Sequence, residues 1–368
     1  MILRVLALLL LALPAFAEQL PRGAPIAPYY LKVALGEVEG ESFIEKFGEI
    51  PALGTGGFED VWDGGGTYVN PAAASLHNVV SSLAADTGTL VSSGTLTGGS
   101  FTLAVDSGAD FVSDGVVAGD IVLNDSNVNI GIVTARTDLN TLAIALEMRN
   151  PGSGRGSPGA KVVEFSSFAS ANASGDSYRI VRDGGIGAPV MYIEGLSIAF
   201  LQQSEFVLLN GTNIVATSKL YATQHRARIF TSGTAGADGD ITSTAQSGGT
   251  VSAQILGATG EAPNQTLMTP YTCPLDKECL IVYWAASLSK NIPTAVVDLH
   301  LVGGSLAPGA VRYVLQTSAI NTAGNSSYPH PYIIPVPFPG ASSILLAASS
   351  SAANTGVSAR MTILIKDR

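Results

Sequence analysis

The side chains that could catalyse a reaction are scattered along this sequence. Its histidines are far apart and show no H-E-x-x-H or similar spacing: they are His77, His225, His300 and His330. Gly175-Asp176-Ser177 has the residue types of a serine nucleophile, but no strand-to-helix elbow surrounds it. Turn chemistry explains this tripeptide better. The sequence therefore predicts no catalytic residue, no enzyme activity and no cofactor.

An acidic stretch is the best candidate for a metal site. Four carboxylates lie close together in the sequence, followed by the asparagines of 124–129: Asp106, Asp110, Asp114 and Asp120. Calcium takes carboxylate and carbonyl oxygens from loops, but the spacing of an EF-hand is absent. Solvated turn residues are the default interpretation and calcium is the alternative, so no metal ligand is assigned.

The two cysteines favour a covalent link over metal binding. Cys273 and Cys279 flank P-L-D-K-E, which is followed by an apolar run. If this is a hairpin, the two thiols stand close enough for a disulfide. A C-x5-C pair without further cysteines or a neighbouring histidine is a weak metal signature. We predict a disulfide if the protein is exported, and free thiols otherwise.

Composition indicates a structural or secreted β protein. Of the 368 residues 46% are hydrophobic and 13% charged, against about 25% charged in ordinary soluble domains. The net charge is −10, whereas binding to a phosphate backbone needs clustered Lys and Arg. We therefore expect no nucleic acid as partner.

The first 17 residues have the three parts of a secretory signal. Arg4 gives the positive region, 5–13 the apolar core and Ala15-Phe16-Ala17 the cleavage pattern. The alternative is an apolar N-terminal helix buried in an oligomer. The apolar run is shorter than the roughly 20 residues that span a bilayer, so the mature form is expected to have no membrane contact.

Residues 18–85 are predicted to be an extended N-terminal arm, in which 71–85 is the best helix candidate. Its Gly-rich part, 47–71, is too poor in local structure to be an ordinary helix or a long strand. It carries four aromatic anchors: Phe47, Phe58, Trp62 and Tyr68. Such rings need a surface that buries them. The arm could fold back on its own domain; we predict instead that it crosses a neighbouring subunit of a homo-oligomer, most plausibly a trimer.

The same segment carries a family resemblance. The pattern F-G-x-x-P followed by G-F-E-D-V-W-D-G-G-G-T-Y resembles the N-terminal hallmark of a virion structural protein family of tailed, environmental and marine bacteriophages. The similarity continues at S-E-F-V-L-L-N-G-T-N-I-V-A-T (204–217) and N-Q-T-L-M-T-P-Y-T (264–272). The resemblance implies a place in a virus particle, with other virion proteins as partners. A secretory signal departs from it, because tailed phages assemble in the cytoplasm.

The rest of the chain alternates apolar and polar residues between turn signals. This pattern predicts an all-β protein: a small inserted β-barrel or sandwich at 86–165, connecting strands at 166–195, and a jelly-roll-like C-terminal β-sandwich at 196–368. The stretch 331–339 is rich in proline, which donates no ladder hydrogen bond. It should therefore lie on a sheet edge or along a neighbouring subunit.

Two function classes fit these observations. The first is a non-enzymatic virion protein, such as a capsid decoration, fibre or tail-associated adaptor protein. The second is a secreted cell-surface β-sandwich, either a fibre subunit or a carbohydrate-binding module with a glycan as ligand. Exposed aromatic clusters would favour the second class, but aromatic residues make up only 7% of the chain.

Overall fold

The computed structural model describes residues 26–34, 36–100, 102–145, 172–183, 187–230, 236–257, 264–290, 295–304, 311–321 and 326–368. Within these ranges the chain forms one helix, α1 (Ile26–Ala34), and otherwise strands. The prediction of an all-β protein is confirmed. No helix in the described part is long and apolar enough to cross a bilayer. The predicted signal at 1–17 lies outside the described residues.

Eight strands form two four-stranded antiparallel sheets that share one core. The first sheet has the order β1 (Glu41–Leu53), β23 (Thr355–Asp367), β18 (Lys277–Lys290), β21 (Ser327–Phe338). The second has the order β17 (Tyr271–Thr272), β22 (Ser343–Ser350), β19 (Val296–Gly304), β20 (Arg312–Asn321). A two-residue strand, β2 (Glu59–Asp60), also pairs with β22.

The order of these strands defines the fold. We letter the eight strands B to I in chain order, so that β1 is B and β17 to β23 are C to I. The first sheet then reads B-I-D-G and the second C-H-E-F. This is the arrangement of a jelly roll, which closes two Greek keys into one sandwich. The predicted jelly-roll-like sandwich is therefore present, with β1 as its first strand.

Apolar side chains from both sheets fill the sandwich. Ile281, Trp284 and Met361 of the first sheet meet Leu299 and Leu346 of the second, and all five are buried. They come from strands in which every second residue points inward, apart from local bulges. Burying each such side chain contributes roughly 1.5–3 kcal/mol, so this core is the main source of stability for the jelly roll.

A second unit has its own core between two smaller sheets. One sheet has the order β13 (Val215–Ala216), β3 (His77–Ser81), β15 (Ile241–Ala245), β16 (Val251–Ile255). The other has the order β12 (Gln202–Leu208), β11 (Val190–Leu196), β14 (Thr223–Phe230). Val79, Ile193 and Ile241 are among the buried residues that join the two sheets.

A third unit is a single seven-stranded sheet. Its order is β4 (Gly88–Thr95), β10 (Ser177–Asp183), β7 (Ile121–Asn124), β8 (Asn129–Arg136), β9 (Thr141–Ala145), β6 (Leu103–Val105), β5 (Gly98–Ser100). Phe111, Leu142 and Tyr178 lie in its core. A smaller cluster that includes Ile121 and Phe206 packs this unit against the second one.

The three units are nested in one another. After β2 the chain leaves the jelly roll, contributes β3 to the second unit, and forms the third unit with β4 to β10. It then completes the second unit with β11 to β16 and the jelly roll with β17 to β23. This differs from the predicted boundaries. The described residues of 196–257 belong to the second unit and not to the C-terminal sandwich. The strand β10 extends the third unit beyond 165 into the predicted connecting strands.

The predicted extended arm, 18–85, also differs from the structure. It contains α1, the 13-residue strand β1, and β3. The candidate helix at 71–85 instead includes β3, in which buried and half-buried residues alternate as in a strand. The difference arises from long-range pairing. The strand β1 pairs along most of its length with β23, about 300 residues later, and the residues of β1 alone do not indicate such a distant partner.

Candidate assembly surface

The Gly-rich segment of the predicted arm packs on its own chain. Trp62 and Tyr68 are buried, with ring centroids 5.1 Å apart, in a cluster with Met268, Val302 and Leu345. The hydroxyl of Tyr68 also donates to backbone carbonyls of the second unit. The structure therefore buries these two anchors within their own chain, whereas we predicted that they contact a neighbouring subunit.

The acidic pair Glu59 and Asp60 explains why this segment folds back. Glu59 accepts hydrogen bonds from the backbone N–H groups of Gly54 and Gly66, each at 3.0 Å. Gly66 has a φ of 66°, a conformation that favours glycine. Asp60 accepts from the N–H of Tyr68 at 2.7 Å. The two carboxylates thus accept hydrogen bonds from backbone N–H groups of this segment and fix the conformation of the loop.

The other two anchors differ from the buried pair. Phe58 is 41% exposed and stacks on the imidazole of His300, with 3.7 Å between ring centroids. Phe47 is half-buried on β1, and the guanidinium of Arg226 lies 5.4 Å from its ring centroid. Of the four predicted anchors, Phe58 is the most accessible, and it already has a partner in its own chain.

A different part of the molecule presents apolar side chains to solvent. We name it the edge face; it lies on and next to β20 and β21, and its members are Val311, Tyr313, Val314, Leu315, Ile333 and Ile334. Ile334 is 82% exposed and Ile333 71%. Both strands are the last in their sheets, so each has an edge without a ladder partner in the described part of the chain.

The pairing of β21 explains the exposure of its two isoleucines. Val336 is opposite Ile281 and Pro331 is opposite Tyr283, so four residues of β21 span a single residue of β18. Ile333 and Ile334 lie within this irregularity. The expectation that the proline-rich stretch 331–339 lies on a sheet edge is confirmed for the part that forms β21.

The edge face carries almost no charge. In 311–321 and 327–338 the basic side chains are Arg312 and His330. Arg312 turns inward to Asp60, and burial lowers the pKa of His330 below 6.5, which leaves it neutral at pH 7. Gln316 lies 3.1 Å from a ring nitrogen of His330 and links β20 to β21. The two strands thus form one connected, uncharged surface.

The predicted cysteine pair is a disulfide in the structure. Cys273 follows β17 and Cys279 lies in β18, and both are fully buried in the jelly-roll core. The link joins the two sheets of the sandwich at one end. It is a structural link and not a reactive site.

The buried histidines have separate structural partners. His77 contacts the carbonyl of Ser75 and the hydroxyl of Ser252, and burial lowers its pKa to about 4. Burial and the nearby Lys46 lower the pKa of His225 to about 3. Both imidazoles are therefore neutral near pH 7. Two hydrogen-bonding contacts hold the ring of His77, whereas His225 has one contact of 3.4 Å with Gln202 and packs beside the ring of Tyr271.

The acidic residues of the third unit are occupied by protein donors. Asp106 accepts from the hydroxyl of Tyr178, Asp114 from that of Ser92, and Asp120 from the guanidinium of Arg182. Asp110 accepts from two backbone N–H groups of its own turn. No cluster of three or more His, Cys, Asp or Glu suited to a metal occurs among the described residues. These contacts favour the interpretation as turn residues over calcium binding.

Asp176 has a similar role in a neighbouring turn. It accepts from the amides of Asn124 and Asn127 and from the backbone of Ala173. Its neighbour Ser177 exchanges contacts with Ser126. The Gly-Asp-Ser tripeptide therefore leads from a turn into β10.

Comparison with known proteins places the chain in no established family. No family model matches the sequence, and no curated protein matches it. Two solved structures of infectious bursal disease virus show weak similarity to this chain. The VP2 subviral particle is 10% identical over 93% of this chain and 82% of that one, with a TM-score of 0.17. The structure of the Gx strain is 9% identical over 89% and 71%, also with a TM-score of 0.17.

Proposed function

We propose that this protein is a non-enzymatic structural subunit of a virus particle that assembles with copies of itself and with other virion proteins. The observation that carries this proposal is the edge face, an uncharged apolar surface on two jelly-roll edges that have no ladder partner among the described residues. Jelly rolls build viral capsids, lectins and cupins. The resemblance to tailed-phage virion proteins supports the first of these three. The location that follows is the virion.

The edge face has the properties of a subunit contact. Natural proteins protect sheet edges with charged residues, bulges, prolines or a covering element. Here β21 has prolines and a bulge, but β20 exposes Tyr313, Val314 and Leu315, and the adjacent Arg312 is paired with Asp60. Large apolar patches on a protein surface mark interaction sites. A homo-oligomer, for which we propose three copies, would bury this face.

The assembly proposal can be tested by light scattering on the full chain. We expect the wild type to be an oligomer at micromolar concentration, and Ile333→Ser/Ile334→Ser to shift it toward monomers. Ile214→Ser is the control, because Ile214 is 63% exposed, somewhat less than Ile333 and Ile334, and lies outside the edge face. A wild-type monomer, or an unchanged oligomer in the double variant, would contradict the role of this face.

The location in a virion needs a separate measurement. Particles purified from the producing cells should contain this chain in constant proportion to the major capsid protein, as measured by quantitative mass spectrometry. Recovery of the chain in the medium, apart from particles, would contradict the proposal. It would instead favour the alternative of a secreted cell-surface β-sandwich.

A further inference from the structure

A groove of about 480 Å³ crosses the outer face of the first jelly-roll sheet. All four strands of the sheet contribute to it. Its volume is within the roughly 300–1,000 Å³ of small-molecule sites. The groove shares no residue with the edge face used in the proposed assembly, although β21 contributes to both.

The register of the strands places its side chains in two parallel rows. The first row is polar and takes one residue from each strand: Glu49, Ser358, Ser287 and Ser327. The second row is mostly apolar: Phe47, Arg360, Ala285 and Pro329. All eight residues line the groove. A ligand lying across the strands would therefore meet hydroxyls along one side and carbon surface along the other.

Arg360 and Tyr283 lie on the two central strands of the groove and contact each other. The guanidinium lies 5.1 Å from the ring centroid of Tyr283 and donates to its hydroxyl at 3.2 Å. Arg360 is exposed, and a guanidinium has five N–H donors, so it keeps donors for a ligand. Because Arg360 donates to the Tyr283 hydroxyl, that hydroxyl can direct its own hydrogen elsewhere.

The charges in the groove balance each other. Glu49 and Arg360 are the charged residues among those that line it. An acidic ligand would meet the carboxylate of Glu49 as well as Arg360. A peptide that extends a sheet needs a free strand edge, whereas this groove lies over strands that are paired with one another. The pattern suits a neutral ligand with many hydroxyl groups.

We propose that this groove binds a neutral carbohydrate chain. A pyranose ring has an apolar C–H face, which fits against Phe47, Ala285 and Pro329. Its hydroxyls both donate and accept, and they match the serine hydroxyls, the Glu49 acceptor and the Arg360 donors. The inference is independent of the proposed assembly, because it uses another surface. A structural particle subunit with such a groove would attach to neutral surface glycans.

Saturation-transfer NMR with defined sugars tests this proposal. The probes are maltohexaose, cellohexaose, mannohexaose and chitohexaose, with sialyllactose as an acidic comparison. We expect transfer to at least one neutral hexaose, and about tenfold weaker binding for Arg360→Ala, the effect of losing charge-assisted hydrogen bonds. Ser287→Leu, which places a bulky apolar side chain in the polar row, should abolish transfer. Circular dichroism would verify that each variant is folded.

The edge-face variant Ile333→Ser/Ile334→Ser separates this proposal from the assembly proposal. It should lose oligomers and keep sugar binding to each protomer. No transfer to any neutral hexaose, transfer to sialyllactose alone, or binding unchanged in both groove variants would overturn the proposal. None of these outcomes depends on whether the chain assembles.

Discussion

Arg312 holds both carboxylate oxygens of Asp60, a residue 252 positions earlier in the chain, at 3.0 and 2.7 Å. Asp60 is nearly inaccessible to solvent, and Arg312 also donates to the carbonyl of Tyr68. Burial raises the pKa of Asp60 against the opposing effect of Arg312. This ion pair fixes the Gly-rich segment against the start of β20, where the edge face begins.

Removing one partner of this pair should destabilise the protein. We expect Asp60→Ala to lower the free energy of unfolding by about 3 kcal/mol, because it leaves the Arg312 charge without its partner. Urea denaturation measures the change. The control is Asp367→Ala, whose ion pair with Lys277 is largely exposed and should contribute under about 1 kcal/mol. Equal losses in the two variants would contradict the structural role of Asp60.

Trp62→Ala should reduce stability without changing assembly. The indole is buried in its own chain, and truncating a buried tryptophan costs about 3–5 kcal/mol. Thermal unfolding and light scattering together test this. Phe58→Ala is the control, because that ring is 41% exposed and stacks on His300. A Trp62→Ala variant that is equally stable but monomeric would restore the hypothesis of an arm shared between subunits.

Asp63 should make stability depend on pH. Burial raises its pKa from 3.8 to about 7, and its Oδ1 has no hydrogen-bond partner among the described residues. The folded state therefore holds the proton more tightly than the unfolded state. The stability that this group contributes is complete below pH 4 and is lost as pH rises from about 4 to about 7.

The variant Asp63→Asn isolates this effect from other titrating groups. Its stability relative to wild type should rise with pH across that window, by at most about 1.4 kcal/mol per pH unit. Urea denaturation at pH 5, 6, 7 and 8 provides the comparison. A constant difference between the two proteins would show that Asp63 stays ionised in the folded state.

His77 should act in the opposite direction. Its pKa is about 4 in the folded protein against 6.5 in a free side chain, so the unfolded state takes up the proton first. The stability contributed by the neutral ring is complete above pH 6.5 and is lost as pH falls toward 4. His77→Gln should lose less stability than wild type on acidification over this range, as followed by thermal unfolding. An identical acid dependence would contradict the burial of this imidazole.

The sequence contained the local information but not the long-range pairing. Alternating side chains were enough to predict an all-β chain, and the prolines of 331–339 were enough to predict an edge strand. Nothing local shows that β1 pairs with β23, because cross-strand contacts depend on which register buries the better surface. For the same reason the domain boundaries were wrong where strands of one unit are far apart in the sequence.

The surfaces were harder to predict than the strands. Large aromatic residues in a Gly-rich segment could be buried by their own chain or by another chain. Trp62 is buried by its own chain because Met268 and Leu345 lie against it, and the sequence does not show this contact. The two rows of the groove exist because four strands are aligned at one register. A single strand read alone shows one serine or one alanine and no site.

The nesting of the three units has a consequence for synthesis on the ribosome. The strand β1 can pair with β23 only after about 300 further residues have been synthesised. Their synthesis takes about 15–60 s at 5–20 residues per second. The inserted units can close their own cores during this delay. Once folded, they hold Trp62 beside Met268, and Asp63 beside Leu267. An insertion whose ends meet acts as a short linker, which lowers the entropy cost of closing the jelly roll.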